Sequence, residues 1–123
     1  QKAVAYGLAK EPAYFDRLAG DLQAKRDRLA RACAALRLPV LPCQGTYFLT
    51  LDMSRLELDG DDAALARRMT AEGGVTAVPV SAFYVSDPPK NYLRFCFSKR
   101  DEVLDEAVER MQRWIASIRR HAA

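Results

Sequence analysis

Histidine and tryptophan occur once each in these 123 residues, cysteine three times, and glycine and proline six times each. Each scarcity excludes something. A single histidine, His121, builds no histidine-based metal or acid–base centre, and within the last three residues it reads as part of an exposed, frayed tail. Cys33, Cys43 and Cys96 are odd in number, widely spaced and set among apolar residues. That excludes a disulfide framework or a CxxC metal knuckle, so they read as buried, reduced, inert thiols of a cytoplasmic protein. No low-complexity tract, linker or internal repeat is present, and no apolar run is long enough to span a bilayer. The opening "QKAVAYGLAKEP" lacks the basic start, apolar centre and cleavage site of a secretory signal. It also lacks Met, which reads as a piece cut from a longer chain. Charge of neither sign dominates: 19 basic and 16 acidic residues are interspersed, for a net +3. No basic stripe is left for nucleic acid.

What is present is enough for one domain. The length allows burial of about two-thirds of the unfolded surface around a single core. In "DEVLDEAVERMQRWIASIRR", Leu104, Ala107, Val108, Met111, Ile115 and Ile118 recur at helical spacing. Ser98 and Asp101 ahead of them have the form of a capping box, and Arg119 and Arg120 lie late, where the helix dipole favours cations. A second long helix starts at Pro12 and carries Leu18, Leu22, Leu29, Cys33 and Leu36 on one side before Pro39 forbids its continuation. A third, "DDAALARRMTAE", lies between Asp59-Gly60 and Gly73-Gly74, the second pair acting as a helix stop.

Three strands are expected between the helices: "TYFLTLD" after Gly45, "VTAVPVSAFY" after the glycine pair, and "YLRFCF" after the loop at 87–91. The fold class is therefore α+β, a small mostly antiparallel or mixed sheet of about three to four strands with helices on one face. Met53, Met69 and Met111 read as core filler. Gly45 reads as a residue needed for the backbone of the turn into the first strand, and Tyr47 as packing that also edges a pocket.

The third strand raises a chemical question. Side chains alternate along a strand, so Leu93, Phe95 and Phe97 share one face while Tyr92, Arg94 and Cys96 share the other. One reading makes the second face simply solvated. The other places Arg94 in a cleft lined by Tyr92 and further aromatic groups, where its planar guanidinium grips a carboxylate through two parallel hydrogen bonds.

"GTYFLTLD", "GVTAVPVSAFY" and "YLRFCFSKRDEVLDEAVERM", in this order and spacing, resemble the C-terminal small domain of class I/II pyridoxal-phosphate aminotransferases. The likeness is to the kynurenine, glutamine, methionine and N-succinyldiaminopimelate branch. "EPAYFDRLAGDLQAKRDRLARACAALRLPVLPCQGTYF" resembles the opening of that domain, so the resemblance covers essentially residues 1–123. It implies that Arg94 receives the substrate α-carboxylate, that Phe83 and Tyr84 lie near the substrate entrance, and that the parent enzyme is a homodimer. It also implies pyridoxal phosphate bound by a large domain outside this sequence. None of Lys2, Lys10, Lys25, Lys90 and Lys99 matches the cofactor lysine, and no glycine-rich phosphate loop is present. The chain alone is therefore expected to hold no cofactor covalently, to bind no metal and to be inactive. Its role would be to bind amino acid and 2-oxo acid carboxylates and to close over the site. Two alternatives stand beside this: a free-standing regulatory module that binds amino acids or oxo acids through Arg94, and an interaction domain whose Arg94 is merely solvated.

Overall fold

The computed structural model describes residues 1–121, with His121 by its backbone alone, so the reading of that side chain lies outside the described residues. In chain order the elements are α1 (Lys2–Lys10), α2 (Pro12–Ala35), β1 (Phe48–Asp52), α3 (Asp62–Arg68), β2 (Val78–Pro79), β3 (Tyr92–Cys96) and α4 (Asp101–His121). The sheet has the order β1-β3-β2 with both pairings antiparallel, and Val40 adds an isolated bridge to Leu51 at its edge. The α+β expectation holds.

Alternation along the strands decides what is inside. Leu49 lies opposite Phe95 and Leu51 opposite Leu93, and these four side chains are buried with Phe97. They form one core with Leu29 and Cys33 of α2, Leu65 and Ala66 of α3, and Leu104, Met111, Trp114, Ile115 and Ile118 of α4. Burying each large side chain contributes about 1.5–3 kcal/mol. Met53, Met69 and Met111 all lie in this core, as the sequence indicates. Among the described residues no helix is long and apolar enough to cross a membrane.

Several local expectations are corrected. The strand foreseen in "VTAVPVSAFY" pairs only at Val78–Pro79 and then winds into a 3₁₀ turn, Val80–Phe83. Pro79 has no N–H for the ladder, and the Ser81 amide donates to Asp62 Oδ2 at 2.8 Å. α1 was not foreseen in "QKAVAYGLAKEP"; it ends where Glu11, forced out of the helical region by the following Pro12, takes φ −125° and ψ 51°. α4 begins at Asp101, so Arg100, not Ser98, precedes it, and the Arg100 carbonyl accepts from the Val103 and Leu104 amides. The turn before β1 does not use Gly45 for special geometry. Thr46 takes the left-handed conformation instead, at φ 63°, with its hydroxyl oxygen accepting from the Phe48 amide.

Only Cys33 is fully buried. Cys43 and Cys96 are half-buried, Cys96 because alternation puts it on the face away from the core, and Cys43 because its thiol turns to the Gly45 and Phe48 carbonyls.

α3 starts with the Asp61 carboxylate accepting from the Ala64 amide at 2.8 Å. It continues as a π turn through Met69–Gly73, and Gly74 stops it at φ 66°, as foreseen. Trp114 of α4 seals that end, its indole N–H donating to Glu72 at 2.9 Å.

Candidate functional site

β3 is the central strand, so its backbone is fixed from both sides: Arg94 lies opposite Thr50 of β1 and Val78 of β2. Its side chain leaves on the face away from the core. There it enters a stack of rings. The guanidinium carbon lies 4.0 Å from the Phe48 ring centroid and 4.3 Å from that of Phe83. Phe48 reaches it diagonally, since its own opposite residue is Cys96, two positions along the strand. The Tyr47 ring lies 4.2 Å from that of Phe48, tilted by 41°.

This geometry encloses part of the arginine side chain. Each ring over the guanidinium is worth about 0.5–2 kcal/mol. Both rings lie against the guanidinium. Nε is buried with no hydrogen-bond partner, and among the described residues Arg94 meets no carboxylate. Arg28, Arg68 and Arg110, by contrast, each pair with an acid at the surface. A buried donor left unpaired costs about 1–3 kcal/mol.

Of the residues singled out in the sequence, Phe83 touches Arg94 directly and Tyr47 touches it through Phe48. Tyr84 follows the 3₁₀ turn in extended conformation and is 54% exposed. Tyr92 is half-buried on the same face, opposite Asp52. Phe48 and Asp62 were not singled out. Phe48 could have been found by pairing "FLTLD" with "YLRFC" in register, whereas nothing in the sequence marks Asp62. Beside the stack, a cleft of about 450 Å³ opens between Phe15, Leu18 and Leu22 of α2 and the turn Gly45–Tyr47.

Two lysines are engaged elsewhere: Lys25 donates to Asp101 at 2.8 Å and Lys10 lies over the Tyr6 ring. Among the described residues no three His, Cys, Asp or Glu side chains could hold a metal ion.

The family model for aminotransferase class I and II matches residues 1–111. The chain belongs to this family. Methionine aminotransferase of Escherichia coli K12 is 38% identical to this class I and II chain over 112 residues, 91% of the chain and 29% of that enzyme. A kynurenine–oxoglutarate transaminase of Dictyostelium discoideum is 40% identical over 87% of the chain and 29% of its own length. The structure of N-succinyldiaminopimelate aminotransferase from Mycobacterium tuberculosis superposes with a TM-score of 0.81, at 38% identity over 90% of this chain and 29% of that one. The chain thus spans under a third of these aminotransferases' length.

Proposed function

We propose that this chain is the C-terminal small domain, over residues 1–123, of a pyridoxal-phosphate aminotransferase, and that Arg94 binds the α-carboxylate of the amino acid and of the 2-oxo acid. One observation carries the reading: a guanidinium held against Phe48 and Phe83 on the central strand, with Nε buried and unpaired. Every substrate of a transaminase shares a carboxylate next to the reacting carbon. A fixed two-pronged clamp on it sets where that carbon lies and leaves the variable side chain free.

Pyridoxal phosphate, when bound, supplies the electron sink that makes the Cα proton removable. The residues around Arg94 do not fit that group. They are aromatic, and the lysine whose partner is clearest, Lys25, is engaged by Asp101. The cofactor site is accordingly assigned to the large domain outside this chain, and this chain's contribution is carboxylate binding and closure over the substrate. A homodimeric parent fits this reading, and the free state of all three cysteines fits a reducing compartment such as the cytoplasm.

The test is Arg94→Lys in the whole polypeptide, assayed with an amino acid. Lysine keeps the charge and loses the fork. Loss of the half-buried pair is expected to weaken kcat/KM by about 2–5 kcal/mol, some thirty- to several-thousand-fold. An unchanged kcat/KM would remove Arg94 from the substrate site. Before that, the parent's absorption spectrum decides the larger point: cofactor absorbance in the visible supports the aminotransferase reading, and a cofactor-free parent favours the regulatory module.

A further inference from the structure

Asp62 is fully buried at the first position of α3, and it is the charged residue that the core encloses. Helix capping does not account for it, because its neighbour Asp61 already accepts from the Ala64 amide. Oδ2 accepts from Ser81 N at 2.8 Å, and Oδ1 is buried with no partner. A half-satisfied carboxylate in a core is costly, and an apolar residue of similar size would pack there without that cost.

The Ser81 amide belongs to the 3₁₀ turn whose last residue, Phe83, covers Arg94. The turn also meets α3 and β3. β2 ends at Pro79, the turn buries no residue, and Phe83 itself is 58% exposed. We infer that Asp62 is a positioning residue of the carboxylate site: by holding the Ser81 amide it sets the Val80–Phe83 turn so that the Phe83 ring lies against the Arg94 guanidinium beside that of Phe48. The inference deepens the reading of Arg94 as a carboxylate clamp and rests on it for its functional meaning, since a guanidinium stacked on one ring would turn more freely and present its fork less often.

The Arg94 Nε–H resonance reports the geometry directly, because aromatic rings near a proton shift it. In the 123-residue chain, Asp62→Ala is expected to move that resonance toward its position in Phe83→Ala, and to move it no further in the Phe83→Ala background. Asp62→Asn, which keeps an oxygen for the Ser81 amide, is expected to stay near the parent position. Affinity for pyruvate, used as the simplest 2-oxo carboxylate, is expected to fall about fivefold in Asp62→Ala, the worth of one ring contact. Should Asp62→Ala not fold, Asp62→Asn decides: a Ser81 amide protected from exchange with Arg94 in place supports the inference, and a freely exchanging Ser81 amide with Arg94 unmoved overturns it. A lower melting temperature in Asp62→Ala with the Arg94 resonance unmoved also overturns it, as does an equal shift in the absence of Phe83. If pyruvate leaves the parent resonance unmoved while Asp62→Ala shifts it, the carboxylate reading fails and the positioning role stands.

Discussion

Cys33 is enclosed by the core, and desolvation pushes its thiol up from 9.0 to about 12. The folded state therefore holds the proton more tightly than the unfolded chain does. This contribution to stability is complete below about pH 9 and is lost as pH rises from there toward 12. A thiol reagent at mildly alkaline pH should titrate Cys43 and Cys96 rapidly and Cys33 only on unfolding; three fast thiols would contradict the burial. At the site, Phe48→Leu keeps apolar bulk but removes a ring face from Arg94. It should weaken carboxylate binding by about 0.5–2 kcal/mol with little change in melting temperature, as titration calorimetry would show. Residues of this kind differ in how far their surroundings can be read in advance. The face Arg94 occupies follows from alternation within five residues of strand. The rings against it do not, because Phe48 arrives through the register between β1 and β3, and Phe83 through a turn tied to a carboxylate 19 residues earlier.

The end of α3 and its seal against α4 are set by two adjacent glycines with different tasks. A Cβ on Gly73 would come within 3.1 Å of the Trp114 ring, which is buried and held by Glu72. Gly74 has open left-handed geometry at φ 66° beside the Arg110 guanidinium. Gly73→Ala should cost about 1–3 kcal/mol through overpacking, read as a drop in urea midpoint, and Trp114→Leu should absorb most of that loss in the double variant. Additive losses would show that the tight contact is not the cause. Between α2 and α4, the Lys25 ammonium hydrogen-bonds Asp101 and holds its carboxyl below the ordinary value of 3.8, with Arg28 adding to the effect. Both groups are accessible to water, so Lys25→Met should lower the melting temperature only slightly. The sign of the shift makes this contribution present above pH 3.8 and lost on further acidification. Long helices such as α2 and α4 were legible because their period repeats several times. β2 was not: an apolar run with favourable strand residues is overruled by one proline and one distant acceptor.

Over the whole molecule, burial is uneven. α1 contributes no buried residue, and Val4, Tyr6 and Leu8 remain exposed, continued by Tyr14 and Phe15 at the start of α2. So much apolar surface on one end favours association. Sedimentation should show concentration-dependent self-association, and removal of residues 1–10 should reduce it while leaving the melting temperature nearly unchanged. A strict monomer at high concentration would argue against an unpartnered face. The overall class was readable from the order of elements, but the spatial order β1-β3-β2 was not, since nothing local says that the last strand goes in the middle. That order has a bearing on how the chain is made. β1 and β2 have no strand to pair with until residues 92–96 have been synthesised, so a nascent chain carries β1 unpaired through some forty residues of elongation, joined by β2 over about the last thirteen. A ribosome pause or truncation before Cys96 would leave those edges for other chains to find, whereas one placed after it would release a sheet already closed.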